Sequence, residues 1–184
     1  MNILITGGLG FIGKNLVEFL SKNTQYNIIT LDIKESNYSH THYKMDIRNY
    51  SDLTNIKEDI DIIYHLAAQS YGKGSLIDPM YDLETNIKGT YNIIELAKLK
   101  KVKKIIYSSS MAVYGNRNIS YETDNPNPLS DYGVSKLAGE YYIKKSKIPY
   151  TIFRLYNTYG KYQDLKKTDK GIVLAFASQL FSKD

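Results

Sequence analysis

The sequence predicts an α/β fold, a doubly wound parallel sheet with helices on both faces. Short β-rich runs alternate with amphipathic helical stretches along the chain. Most of the runs are continuously apolar, as in Ile62-Ile63-Tyr64 and Ile105-Ile106-Tyr107, the pattern of strands buried on both faces. A glycine-rich turn joins the first strand to the first helix. With 184 residues, 42% of them hydrophobic and 23% charged, the chain can bury one core of this kind.

The elements follow in order. Residues 2–6 form the first strand and residues 11–22 the first helix, with the turn from Thr6 to Gly13 between them. Strands at 27–32 and 41–45 come next, then a short helix at 51–57 and a fourth strand at 61–67. A long helix over 81–99 leads to a strand at 103–109. Ser130 is the N-cap of a helix over 130–147. A strand at 150–155 and a helix at 171–181 close the series. The linker-like patches are 115–128 and 160–170, so residues 1–160 read as a nucleotide-binding domain and 161–184 as the start of a second, shortened region.

Composition excludes several classes. There is no cysteine, so a disulfide framework, a thiolate zinc site and a cysteine nucleophile are out. The three histidines, His40, His42 and His65, are too few for a histidine-built metal centre, and no metal is expected. No apolar run reaches the length of a membrane span, and Met1 runs straight into the first strand without a basic leader. A cytoplasmic protein without membrane contact is expected. The net charge of +5 does not predict nucleic-acid binding, because only Arg48, Arg117 and Arg154 among the 24 basic residues offer a phosphate-gripping guanidinium. Richness in Lys, Asn, Ile and Tyr matches an A/T-rich coding bias.

The first chemical motif is the turn itself. Its glycines read equally as Gly8-x-Gly10-x-x-Gly13 or Gly7-x-x-Gly10-x-x-Gly13. They permit a tight turn and bring backbone N–H groups and a helix N-terminus to a pyrophosphate. Asp32, ending the second strand 19 residues after Gly13, places a carboxylate where adenosine ribose hydroxyls would lie. That context predicts dinucleotide binding, with NAD favoured over NADP although Lys34 is near.

The second motif is Tyr132-Gly133-Val134-Ser135-Lys136. Residues i and i+4 share a helix face, so the phenol and ammonium project together. A phenol titrates near pH 10, and a nearby positive charge favours its phenolate. With 18 tyrosines in the chain the spacing alone is weak. Ser108-Ser109-Ser110 strengthens it, because ligands of open α/β sheets sit at the C-terminal strand edge, where these hydroxyls fall.

Taken together these motifs resemble the extended short-chain dehydrogenase/reductases, specifically the NAD-dependent sugar-nucleotide epimerase/dehydratase family and within it the UDP-sugar 4-epimerases. The matching segments are Thr6 to Gly13, Asp32, Asp46-Ile47, His65-Leu66-Ala67-Ala68-Gln69, Asn86-x-x-Gly89-Thr90, Ser108 to Gly115, Tyr132 to Lys136 and Arg154 to Gly160. The resemblance implies a Rossmann-like strand order 3-2-1-4-5-6 with most of the substrate domain absent. It implies that Gly7, Gly10, Phe11, Ile12, Gly13, Leu66, Ala67 and Ala68 contact NAD. Asp32 then binds the adenosine ribose, and Asp46 with Ile47 the adenine. Tyr132 is implied as the base that deprotonates the sugar. Lys136 is implied to bind the nicotinamide ribose and lower the tyrosine pKa, Ser110 to bond the same sugar oxygen, and Asn157 to contact the nucleotide sugar's phosphates.

Dehydratases of this family carry Asp-Glu after the strand-end hydroxyl, whereas here Met111-Ala112 follow Ser110, and neither transfers a proton. The implied reaction is therefore C4 epimerisation of a nucleotide sugar through a 4-keto intermediate. The resemblance also implies a homodimer through the helices at 81–99 and 130–147. Two other readings stay open: a reductase on a nucleotide sugar, and a catalytically silent NAD-binding module, suggested by the short chain. Net NAD reduction marks the first, and NAD binding without turnover marks the second.

Other residues read as structural. His65, at the end of a buried strand, is packed and hydrogen-bonded, and Asn86 is a polar core residue tying helix to strand. Lys98, Lys100, Lys101, Lys103 and Lys104 oppose a helix C-terminal dipole, as Lys144, Lys145 and Lys147 do after the next helix. Ile87, Tyr91, Ile94, Leu137 and Tyr141 are either core or dimer face.

Overall fold

The computed structural model describes residues 1–70, 72–164 and 172–181. Six strands, β1 (Asn2–Thr6), β2 (Asn27–Asp32), β3 (Thr41–Lys44), β4 (Ile62–His65), β5 (Lys104–Ser110) and β6 (Tyr150–Leu155), form one sheet. Its order is β3-β2-β1-β4-β5-β6 and every pairing is parallel. This is the Rossmann-like order expected from the sequence.

Alternation along β1 divides the core. Ile3 and Ile5 face Val17 and Leu20 of α1 (Phe11–Asn23), together with Ile28. Leu4 faces the opposite layer, where Ile63, Ile105 and Ile29 meet the helices α2 (Tyr50–Leu53), α5 (Thr90–Leu99) and α6 (Asp131–Lys145). Ile93, Ile94 and Leu96 of α5 and Ile143 of α6 are buried in that layer. Ile94 is thus core, while Tyr91 and Tyr141 are on the surface.

Three expectations are corrected. The helix expected over 81–99 begins earlier and is broken into α4 (Pro79–Asp82), a π-helical stretch (Leu83–Gly89) and α5. A short helix, α3 (Gly72–Ile77), precedes it where none was expected. The helix expected over 51–57 is a single turn at α2. The last helix, α7 (Ile172–Phe181), falls where one was expected over 171–181, and Gly171 lies outside the described residues. Among the described residues no helix is long and apolar enough to cross a membrane.

The lysine runs have structural partners. Lys100 Nζ donates to the Ile56 carbonyl at 2.6 Å, Lys103 pairs with Asp61 and Lys98 with Glu95. All six strands point their C-terminal ends to one edge, and the candidate site lies there.

Candidate functional site

The turn after β1 is shaped by two glycines. Gly7 has φ +69°, and a Cβ there would lie 2.7 Å from the Ala67 backbone nitrogen. A Cβ on Gly13 would overlap the Gly7 carbonyl oxygen and come within 2.8 Å of the Gly8 Cα. The loop and the helix start are therefore packed backbone to backbone. Gly10 caps α1 without a side-chain hydrogen bond, so the amides of the first turn keep their donors for another acceptor.

Asp32 ends β2 against this loop. Its carboxylate accepts from Leu9 N at 3.0 Å and Lys34 N at 3.2 Å. Beside it a cavity of about 210 Å³ is lined by Gly7, Asp32, Asp46, Ile47 and Ala67 among others. The Asp46 carboxylate is gripped by Arg48, whose Nε and Nη2 donate at 2.9 and 2.6 Å, and which holds it below the usual carboxylate range. Arg48 in turn lies over the Tyr81 ring at 4.8 Å. This Arg48–Tyr81 contact behind the cavity-lining Asp46 was not anticipated, because nothing local in the sequence pairs residues that far apart.

A second cavity, of about 420 Å³, continues from the first, and the two share Leu66, Ala68 and Ser70. It brings together Ile12, Ser110, Tyr132, Lys136 and Asn157, residues drawn from four segments of the chain. The three serines of the β5 end divide their work. Ser108 Oγ donates to the His65 carbonyl at 3.1 Å, and Ser109 Oγ donates to Glu140 at 2.6 Å. Ser110 is left facing the cavity, whose wall it shares with Tyr132. It also caps a 3₁₀ turn (Met111–Tyr114), accepting from Ala112 N at 3.2 Å.

Helix α6 presents Tyr132 and Lys136. Ser130 caps it by accepting from Gly133 N at 3.1 Å, and Ser75 of α3 accepts from Tyr132 N at 3.2 Å. The unexpected helix thus braces the residue at the centre of the site. Lys136 is 2% exposed, and its ammonium lies 4.4 Å over the Tyr107 ring. Burial pulls that ammonium down to about 7, while the charges of Asp82 and Glu140 act in the opposite direction. Burial also pushes the Tyr132 phenol up, with the neighbouring Ser110 hydroxyl opposing it. Lys136 is not among the groups that shift the phenol, so the expected lowering does not appear in the chain itself.

Asn86, on the π-helical stretch, is a hub rather than a ligand of the cavity. Its Nδ2 donates toward the Gln69 carbonyl, Asp82 and Ser135 at 3.0–3.1 Å, and its Oδ1 accepts from Gln69 N at 2.9 Å. His65 is likewise internal, as its sequence position suggested, with Thr6 and Thr90 hydroxyls against its two ring nitrogens.

A family model described as the NAD dependent epimerase/dehydratase family matches residues 3–183. The chain belongs to this family. A UDP-glucose 4-epimerase from Mycolicibacterium smegmatis is 33% identical, over 99% of this chain and 64% of its own length. A dTDP-D-glucose 4,6-dehydratase from Dictyostelium discoideum is 36% identical, over 88% of this chain and 44% of its own. Among solved structures, a UDP-N-acetylglucosamine 4-epimerase from Methanobrevibacter ruminantium superposes with a TM-score of 0.90 at 31% identity, covering 100% of this chain and 63% of that one. The chain therefore spans less than two thirds of the length of these family members.

Proposed function

We propose that the chain is the cofactor-binding core of an NAD-dependent sugar-nucleotide 4-epimerase, residues 1–160 holding the cofactor and residues 161–184 opening the substrate region. The observation that carries this is the convergence of Ser110, Tyr132 and Lys136 on the wall of the larger cavity, with Met111 and Ala112 where an acid and base would serve dehydration.

The residues present fit NAD. Uncapped amides at the α1 N-terminus, a glycine turn with no room for side chains, and a ribose-facing carboxylate line one trough that leads to Tyr132. Gly7, Gly10, Phe11, Ile12, Gly13 and the segment Leu66, Ala67, Ala68 would hold it, with Asp32 on the adenosine ribose, Asp46-Ile47 at the adenine and Lys136 on the nicotinamide ribose. When bound, NAD supplies the hydride acceptor and a positive ring that favours a phenolate nearby.

The chain's own residues handle the proton. Ser110 holds the C4 oxygen of the sugar, and Tyr132 takes the hydroxyl proton as the C4 hydrogen departs as hydride. In the reverse direction Tyr132 would return that proton to the C4 oxygen once the 4-keto sugar has turned over in the cavity, the cofactor supplying the hydride to the other face. Asn157 holds the nucleotide phosphates meanwhile. Polar groups fixed on the nucleotide, with apolar Met111 and Ala112 beside the sugar, leave the sugar free to rotate.

Two copies pair through α5 and α6 in this reading. Tyr91 of α5 meets Tyr142 edge-on at 5.6 Å and Tyr141 continues the row, leaving an aromatic face outward. The test of the function is NAD retention and interconversion of UDP-glucose and UDP-galactose. Tyr132→Phe is expected to keep NAD and lose at least about 100-fold in turnover. Surviving activity in that variant overturns the mechanism.

A further inference from the structure

One buried carboxylate has no part in the chemistry above. Glu140, two turns along α6 from Tyr132 and one from Lys136, is 1% exposed. Its Oε1 accepts from Ser109 Oγ at 2.6 Å and from Arg154 Nε at 2.9 Å, and its Oε2 accepts from Arg154 Nη2 at 2.8 Å. Lys144 approaches Oε2 from the surface at 3.4 Å.

The partners matter by what adjoins them. Ser109 precedes Ser110, and Arg154 lies three residues before Asn157. The Arg154 guanidinium also lies over the buried Tyr114 ring at 4.6 Å. Tyr114 closes the 3₁₀ turn that Ser110 opens. The remaining guanidinium nitrogen, Nη1, is buried without a hydrogen-bond partner, so the side chain is oriented toward Glu140 at a desolvation cost.

We propose that Glu140 is the positioning residue of this site, its carboxylate fixing α6, the β5 end and the β6 end so that Tyr132, Ser110 and Asn157 converge. The inference rests on the function proposed above. Bidentate Arg–carboxylate contacts impose geometry as well as attraction, whereas a buried ion pair is seldom needed for stability, because apolar pairs of similar volume replace it well. Stability and positioning are thereby separable.

The experiment uses the full 184-residue chain with NAD added and UDP-glucose as the probe substrate. Glu140→Gln keeps the shape and an acceptor for Ser109 but loses the charge. Its kcat is expected to fall about 10- to 100-fold, with KM changed by less than about 3-fold, as sub-ångström misplacement of reacting groups predicts. The double variant Glu140→Met with Arg154→Met is expected to regain the wild-type melting temperature while kcat stays low. Recovery of kcat together with melting temperature means a purely structural pair and overturns the inference.

Absence of turnover in the wild type would instead defeat the proposed function of this chain. Positioning is then read from peptide-resolved hydrogen exchange. Glu140→Gln should speed exchange at 108–115 and 154–158 while leaving 1–32 unchanged. Unchanged or uniformly faster exchange overturns it.

Discussion

Acid should loosen this protein through His65. The ring is 1% exposed, between the Thr6 hydroxyl at 2.8 Å from Nδ1 and the Thr90 hydroxyl at 3.0 Å from Nε2. Tyr107 stacks on it at 5.6 Å. Burial first, and then the Lys136 charge, hold its pKa at about 3 instead of 6.5. The folded value lies below the unfolded one, so the unfolded chain binds the extra proton throughout that window. The contribution of neutral His65 is therefore complete above pH 6.5 and is lost as pH falls toward about 3. At about 1.4 kcal/mol per pH unit the whole window amounts to about 5 kcal/mol. From pH 6.5 to about 5 it amounts to about 2 kcal/mol, before carboxylates held low in the folded state, such as Asp46 and Glu140, add losses of the same sign. Lys136 does not contribute there, because both its folded value of about 7 and its unfolded value lie higher. Urea unfolding of the wild type and of His65→Gln at several pH values across this window tests it. The wild type should lose about 1.4 kcal/mol per pH unit more than the variant does. Parallel pH profiles for the two proteins would refute the linkage. The Thr6 hydroxyl also accepts from Ala67 N at 3.2 Å, against which Gly7 packs, so NAD affinity should weaken over the same range.

Two further outcomes follow from contacts described above. Gly13→Ala gains about 1 kcal/mol of helix propensity but forces a methyl into the Gly7 and Gly8 backbone, which costs about 1–3 kcal/mol or more. Calorimetric titration should find no NAD binding, and the melting temperature should drop by a few degrees at about 2–4 °C per kcal/mol; wild-type NAD affinity would sink the packing account. Tyr141, 59% exposed on α6, is expected to sit in the dimer face, so Tyr141→Glu should yield monomers in sedimentation at micromolar concentration without loss of secondary structure. An unchanged sedimentation coefficient would place the interface elsewhere.

The sheet was legible because its strands are buried on both faces. Continuous apolar runs such as Ile62-Ile63-Tyr64 have few other places to go, and the glycine turn set the start of the winding. The meeting of Ser110, Tyr132 and Lys136 was legible for a related reason, since all three fall at strand C-terminal ends or the helix that follows them. What escaped depends on contacts between distant residues. The π-helical stretch is set by Asn86 reaching Gln69 and Ser135, and by Ile47 packing within 2.6 Å of where a Gly89 Cβ would be. No helical periodicity encodes that. Helix α3 escaped because it contains two glycines and exposes Leu76 and Ile77, so it shows no buried stripe. The Glu140–Arg154 pair joins a helix to a strand, and either residue alone reads as solvated surface.

Helix α6 carries the clearest sign that the site is built for chemistry. A helix packed on a sheet for stability buries apolar side chains and exposes polar ones. Here the buried positions include Ser135, Lys136 and Glu140, while Val134 and Tyr141 are exposed. Desolvating an ammonium and a carboxylate on one face is unfavourable, and the charges of Glu140 and Asp82 offset only part of what burial takes from Lys136. An apolar face of equal volume would hold the sheet better. The inverted pattern is therefore best explained by a polar interior aimed at the cavity, which is what the chemistry proposed above requires, and exposed Val134 and Tyr141 are where the proposed second copy would pack.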